Sequence, residues 1–365
     1  RFLTVAQEAE PELRGVNQRE WLERLDADHD NLRHAFDHLL TQDRVEEALR
    51  LGTSLRWFWK MHDNVAEGAA RLESALARDG NVSPVVQSRA LTAAAVLKSA
   101  TDVDAAYDLL VESAEIAVGA DDVLCRGLAL GWMGLLDRMK GRLDASQRHL
   151  EDALLLVGET GEDWAVSFVL GHLGVLAREQ GALEQAIEHH ERAHEIAVSI
   201  GNPQDAAWNV AGLGVVHLYR GSFEAAIESL ELSFEVEDDL GFDFEMATIL
   251  ILLAIAKARI GRPDGASALL GRAESVARRL GSARLLDAVY RARATVASSR
   301  GDAVRAAQLL GAASRFRVDK GLPRSMFQSF FEQDEQRIRS ALRDVEFADA
   351  WESGMVTEMS ETTAL

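Results

Sequence analysis

Cysteine is almost absent from this 365-residue chain. Cys125 stands alone, which excludes an internal disulfide framework and fits a reducing compartment. Proline is scarce at five residues and glycine ordinary at 27, which excludes collagen-like and proline-rich low-complexity sequence. Lysine occurs only at Lys60, Lys98, Lys140, Lys257 and Lys320. Basic side chains total 39 against 59 acidic ones, a net charge of -20. Duplex binding needs a basic footprint, so this balance excludes direct nucleic-acid contact, and likewise an anionic membrane, as the business of this segment. The longest strongly apolar run, Ile249 to Ile255, is far short of the ~20 residues that cross a bilayer. No charged-then-apolar leader opens the chain. These features predict a cytoplasmic location. The first residue is Arg1, from which we expect a longer parent chain. Apolar residues at 47% and charged residues at 27% describe a folded chain.

What is present in abundance is order. Glycines fall at Gly141, Gly181, Gly221, Gly261 and Gly301, and again at Gly161, Gly201, Gly241, Gly281 and Gly321. Each series has a period of 40 and the two are offset by 20, so the unit is a pair of 20-residue segments, each closed by glycine. After a first-series glycine, apolar or small residues recur at +2, +5, +6, +9 and +12. Leu183, Ala186, Ile187, His190 and Ala193 form one set, and Phe223, Ala226, Ile227, Leu230 and Ser233 the next. That spacing is one face of a helix. Asp144, Glu184, Glu224 and Asp264 sit at +3, where a helix N-terminus favours negative charge. Glycine supplies the left-handed residue that ends a helix. Pro203, Pro263 and Pro323 lie two residues beyond a glycine, where proline starts a helix. Seven residues before each first-series glycine stands a small residue, Gly134, Gly174, Gly214, Ala254 or Ala294, which allows close helix approach.

This arrangement resembles the tetratricopeptide (TPR) repeat from about Pro84 to Pro323, with a 40-residue unit in place of the usual 34. A degraded earlier unit carries Ala94, Thr101 and Ala106 in the equivalent places. The expected fold is all-α: a TPR-like right-handed α-solenoid of antiparallel helix pairs, with helical caps at both ends. In the N-terminal part, Asn17-Gln18-Arg19-Glu20 reads as a capping-box variant and Asp43-Arg44-Val45-Glu46 as a second cap. The latter opens a helix ending in Trp57, Phe58 and Trp59, and a third helix is expected from about Val65 to Ala77. Met326 to Arg343 and Glu346 to Ser353 read as closing helices. The expected division is 1–82 as a joining segment, 83–323 as the array and 324–365 as the cap and tail.

The two ends carry a more specific likeness. Trp21-Leu22-Glu23-Arg24-Leu25-Asp26-Ala27-Asp28-His29-Asp30-Asn31-Leu32-Arg33 resembles the segment that joins repeats to an upstream domain in large bacterial signal-transduction ATPase regulators of the LuxR and SARP types. Leu309-Leu310-Gly311-Ala312-Ala313 and Phe347-Ala348-Asp349-Ala350-Trp351-Glu352-Ser353-Gly354 resemble the end of that region. The resemblance implies a regulatory repeat region that receives a protein or peptide partner, or a small-molecule inducer, and controls an upstream P-loop ATPase and a DNA-binding or effector domain. No Gly-Lys dipeptide occurs, so this segment has no phosphate-binding loop, and no cofactor is expected. An alternative is a stand-alone receptor for a signalling peptide.

In TPR arrays the first helix of each pair lines the inner surface. Carried over by register, the lining set is Leu128, Trp132, Leu135 and Met139, then Phe168, His172, Val175 and Arg178, then Trp208, Val215, Leu218 and Tyr219, then Ile251, Ile255 and Arg259. The best candidates for a partner or ligand groove are Trp132, Met139, Phe168, His172, Arg178, Trp208, Leu218, Tyr219, Ile251 and Arg259, because apolar and aromatic residues gathered on one surface mark interaction sites. Packing between neighbouring helices is the competing role for these residues.

Catalytic signals are few. His190-Glu191-Arg192-Ala193-His194 matches the H-E-x-x-H zinc pattern. His190, however, occupies the +9 position held by Leu150, Leu230, Leu270 and Leu310, and no third ligand follows at the needed spacing. A packing role is the simpler reading, and a zinc enzyme is the remote alternative. His34 and His38 make a second i,i+4 pair on an ordinary amphipathic helix. No G-x-S-x-G elbow occurs, and Cys125 has no evident base nearby in sequence. The expectation is a chain that binds and does not catalyse.

Overall fold

The ten glycines of the two series all adopt left-handed backbone, with φ between 60° and 84°, in the computed structural model of the chain, which describes residues 1–62, 64–99, 101–322 and 327–356. At nearly every one of these turns the residue after the glycine donates its N–H to the carbonyl five positions back, as Arg142 does to Asp137 and Ala182 to Ala177, both at 2.9 Å. This 6→1 bond satisfies a carbonyl that the helix end would otherwise leave open. The next helix begins two residues beyond the glycine, so the 20-residue pitch of the sequence is the pitch of the structure.

All regular structure among the described residues is helical, in twenty helices. The chain divides into two units, Arg1–Asn209 and Val210–Leu365. The first opens with short helices: α1 (Phe2–Glu12), α2 (Gln18–Ala27), α3 (His29–Thr41), α4 (Val45–Ser54), α5 (Arg56–Met61) and α6 (Val65–Leu76). Long helices follow: α7 (Pro84–Lys98), α8 (Val103–Gly119), α9 (Val123–Met139), α10 (Leu143–Gly158), α11 (Asp163–Glu179) and α12 (Leu183–Ser199). The boundary falls within α13 (Pro203–Arg220). The second unit continues with α14 (Phe223–Leu240), α15 (Asp243–Arg259), α16 (Pro263–Arg279), α17 (Ala283–Ser299), α18 (Ala303–Asp319), α19 (Gln328–Ser340) and α20 (Asp344–Val356).

From α7 to α12, and again from α14 to α18, each helix packs on the next across a tight turn, which makes neighbours antiparallel. The +5, +9 and +12 positions are the ones buried: Ala186, His190 and Ala193 in one pair, Ala226, Leu230 and Ser233 in the next. The small residue of the first helix receives the +9 side chain of the second. A Cβ at Gly134 would lie 2.6 Å from Leu150 Cγ, and one at Gly214 would lie 2.7 Å from Leu230 Cγ.

The N-terminal elements differ from expectation in detail. Asn17 makes no capping bond to α2; its Nδ2 donates to Glu12 Oε2 at 2.8 Å instead. Asp43 is not a cap either, for it takes a left-handed turn at φ 53° before α4. That helix ends at Ser54, and Trp57, Phe58 and Trp59 belong to the separate α5. Gly68 of α6 lies under Trp59, where a Cβ would come within 2.5 Å of the indole. The α1 helix has no forerunner in the motif reading. It buries Ala6 and Ala9, with Leu13 buried just past its end, and packs on α4.

At the other end α18 and α20 approach at backbone distance. A Cβ on Gly311 would collide with the carbonyl oxygen of Trp351, and one on Gly354 with that of Gln308. The closing helix therefore runs three residues past Ser353, to Val356. Of the other expected features, Pro323, Met326 and the tail from 357 onward lie outside the described residues.

Candidate ligand and partner site

The aromatic residues picked out by register on α9, α11 and α13 meet in space. Trp132 lies 5.2 Å from Phe168 between ring centres, Phe168 lies 4.6 Å from His172, and His172 lies 5.2 Å from Trp208, the last two pairs edge-on. Trp132 and His172 are buried, while Phe168 and Trp208 are half-buried. Trp208 fits over Gly171, where a Cβ would sit 2.5 Å from Cζ3 of the indole. The glycine thus lets two first helices close on the ring. Burial, with Arg138 and Lys60 adding like charge, holds the His172 imidazole far below its ordinary pKa, so it stands neutral in the ladder. Met139, at the end of α9, is exposed, and Arg178 is buried within 3.6 Å of Glu179.

In the second unit the corresponding positions meet protein. Leu218 and Ile251 are buried in the core. Tyr219 stacks at 5.9 Å on Phe330 of α19, and its hydroxyl lies 3.0 Å from Ser329 Oγ. Arg259 pairs with Asp334 of the same helix and lies over the Phe330 ring. Thr295 Oγ1 also donates to Asp334, at 2.5 Å.

A cavity of about 460 Å³ opens in the first unit beside the ladder. It is lined by Leu128, Trp132 and Phe168 from α9 and α11, by residues of α1, α4, α5 and α7, and by the turn at Arg14. The size is that of a small-molecule site. Charged residues on the wall are Arg14, Arg50, Arg56 and Arg89 against Glu10 and Glu162, a positive excess in an acidic chain. Arg56 pairs with Glu10, Arg50 with Glu46 at 2.7 Å and Arg89 with Asp122 at 2.7 Å. Arg14 stacks on Trp164, 3.8 Å from its ring centre. Burial, with the charge of Arg56 adding to it, lowers the Arg14 pKa to about 10. Register reasoning found the α9 and α11 wall but missed the α1 wall, whose signal was the helical spacing of Ala6, Ala9 and Leu13.

The H-E-x-x-H residues take packing positions. His190 is fully buried with Nδ1 3.1 Å from Asn209 Oδ1, and burial takes its pKa down to about 4. His194 Nδ1 lies 3.1 Å from the Ala206 carbonyl oxygen, and Glu191 faces solvent. Among the described residues no group of three or more His, Cys, Asp or Glu side chains could hold a metal ion. His34 and His38 are both exposed. No helix among the described residues is long and apolar enough to cross a membrane.

The fold is shared with several solved structures. A Rap protein complexed with Competence and Sporulation Factor superposes with a TM-score of 0.60 at 11% identity, over 95% of this chain and 99% of that one. The Rap conjugation gene regulator of plasmid pLS20, in complex with the Phr* peptide, gives 0.59 at 18% identity, over 81% and 78%. Aspartyl phosphate phosphatase F from Bacillus subtilis gives 0.55 at 11% identity, over 96% and 94%. At such identities the likeness is one of fold. No curated protein is significantly similar to the chain in sequence. Residues 89–342 match the profile described as the MalT-like TPR region, and the chain belongs to that family.

Proposed function

We propose that this chain is the regulatory, partner-receiving region of a longer ATP-dependent transcriptional regulator of the LuxR or SARP type. Residues 1–82 would join the array to an upstream ATPase domain, 83–323 would form the array, and 324–365 would close it. A protein or peptide partner, or a small-molecule inducer, binds one arrangement of array and ATPase better than the other and so shifts the balance between them. The chain binds rather than catalyses, makes no direct contact with nucleic acid or membrane, and works in the cytoplasm.

The observation that carries this reading is the MalT-like match over 89–342. The ladder Trp132, Phe168, His172 and Trp208 supplies the aromatic anchors such a surface needs. The Rap neighbours were solved with Competence and Sporulation Factor and with the Phr* peptide, which supports a peptide as one class of partner for this fold.

The test pairs two variants in the natural full-length protein. Trp208→Ala is expected to weaken partner or inducer response while the fold survives. Leu230→Ala, in the core, is expected to cost ~2–5 kcal/mol of stability by leaving a cavity. If Trp208→Ala melts as low as Leu230→Ala and responds normally whenever folded, Trp208 is core and the reading fails at that residue. A natural open reading frame lacking an upstream P-loop would favour the stand-alone peptide receptor instead.

A further inference from the structure

In the second unit α19 lies along the first helices of the array as a bound peptide helix would. Its buried residues are Phe327 at the N-cap, then Phe330, Phe331, Asp334 and Ile338, while Ser329, Glu332, Gln333, Gln336 and Arg339 are exposed. That stripe has the i, i+3, i+4 and i+7 spacing of a helix anchored in a groove. It meets the first helices of three successive pairs. Phe330 stacks on Tyr219 of α13, and Asp334 pairs with Arg259 of α15 and accepts from Thr295 of α17. Arg291 of α17 lies over Phe331, 6.0 Å from its ring centre. Tyr219 and Arg259 are two of the positions that register assigns to a partner. The floor under α19 also differs from the seams of the array. Ala226, Leu230, Ala266 and Leu270 close the seams, whereas the floor holds Arg259, Asp287, Arg291 and Thr295 out of water. Burying charge is costly, and here the compensation is incomplete: Arg259 meets Asp334 through Nη2, while its Nε and Nη1 are buried with no hydrogen-bond partner. An open cleft of about 240 Å³ remains between Ser298 and Ser299 of α17 and Arg337 and Ile338 of α19. The last helix is held separately, since α20 docks on α18 through its own contacts at Gly311 and Gly354.

We propose that α19 is the internal occupant of a helix-binding groove in the second unit, and that an amphipathic helix of a partner protein displaces it by repeating its pattern. The pattern is two adjacent aromatics, an acid three residues on and an aliphatic residue four beyond that, as in Phe330, Phe331, Asp334 and Ile338. Arg259 and Thr295 specify the acid, and Tyr219 and Arg291 receive the aromatics. Displacement exchanges one set of anchors for a similar set, and solvent or the partner completes the bonds that Arg259 lacks. The resident helix also sets a threshold, because a partner's apparent affinity is lowered by the fraction of chains in which α19 stays docked. The proposal rests on the reading of the array as a partner-receiving region and adds a second surface to it. Its test reads the second-unit groove alone, so its failure leaves the ladder of the first unit standing.

The probe is a fluorescein-labelled synthetic peptide of residues 327–340, titrated by fluorescence anisotropy into the chain and into the double variant Phe330→Ala/Asp334→Ala, whose own α19 is weakened. The variant is expected to bind the peptide at one site, at least about tenfold tighter than the unaltered chain does, since losing an aromatic anchor and a buried charge pair empties the groove. A peptide carrying Asp334→Asn is expected to bind the variant about tenfold more weakly, and adding Arg259→Ala to the variant is expected to remove that difference. Equal binding to chain and variant, no binding to the variant, or indifference to Asp334→Asn overturns the proposal. Dimerisation of the variant in light scattering, reversed by the peptide, assigns the groove to a second copy of this chain and overturns it as well. Should the double variant fail to fold by circular dichroism, amide exchange in the unaltered chain decides: α19 should open well before α17, α18 and α20, and opening together with them sinks the idea.

Discussion

The imidazole of His190 lies directly on Gly174: a Cβ added to that glycine would stand 2.8 Å from ring atoms Cδ2 and Nε2. Leu150 on Gly134 and Leu230 on Gly214 repeat the contact. The histidine of an apparent metal motif is thus the local version of a leucine that recurs every 40 residues.

Gly174→Ala should therefore destabilise the chain. Alanine gains up to about 1 kcal/mol of helix propensity, but pushing the ring away costs ~1–3 kcal/mol. Gly271 of α16 has nothing within 4 Å of a Cβ, so Gly271→Ala should raise stability by about 0.5–1 kcal/mol. Urea midpoints of the two variants should move in opposite directions; movement the same way would contradict the packing role of Gly174.

Acid should weaken the fold in two successive, overlapping windows. The His190 imidazole, held at about 4 by burial, stays neutral in the fold while the unfolded chain protonates near pH 6.5. Stability is full above 6.5 and falls as pH drops to about 4, by roughly 3 kcal/mol in all. Hydrogen bonds from Arg33, and then from Arg71, hold Glu67 at about 2 against burial, so its contribution is present above 4.5 and is lost as pH falls to about 2. Stability measured against pH should fall less steeply between 6.5 and 4 in His190→Leu, where the buried His172 still contributes, and less steeply below 4.5 in Glu67→Gln, where other paired carboxylates remain.

Asp121 performs, at φ 54°, the turn that glycine performs elsewhere, and the N–H of Asp122 reaches the Ala117 carbonyl at 3.0 Å as the glycine turns do. Asp121→Gly should gain about 0.5 kcal/mol, strain relief being set against glycine's greater unfolded freedom. Gly181→Ala, at φ 82°, should lose about 1 kcal/mol. Thermal melts of both variants check the pair.

Gly354→Ala should undock α20. The clash is with the backbone of Gln308, which has no rotamer to yield, so a loss of ~3 kcal/mol or more is expected. Amide exchange should speed up selectively across Asp344–Val356; uniform protection would refute the close contact.

Much of this fold was legible because glycine and the +5, +9 and +12 residues answer to one constraint, close packing of neighbouring helices. The turn between α8 and α9 was hidden by Asp121, since aspartate tolerates left-handed backbone without announcing it. The motifs at 309–313 and 347–354 were visible, while their cause, two glycines meeting opposite backbones, needed three dimensions. The inner-surface residues were harder. On α15 every residue from Ile249 to Ala256 is buried, so its sequence has no polar face to orient Ile251. Tyr219 and Arg259 are met by α19, more than 60 residues away in the chain, which no local spacing encodes. The cavity wall from α1 was overlooked because Ala6 and Ala9 are small, and small residues make a weak periodic signal.

The unvarying turn has a consequence for how the length of this chain can change. Each residue advances a helix by about 100°, so losing one residue inside α12 would swing His190 and Ala193 off their partners and shift every later turn with them. Removing one helix would reverse the direction of all that follow. Removing 40 residues between equivalent glycines restores phase, direction and the glycine–leucine contact together. Whole pairs are therefore the coinage in which this array can grow or shrink, and a single-residue deletion outside the loops is a larger injury than the loss of a complete pair.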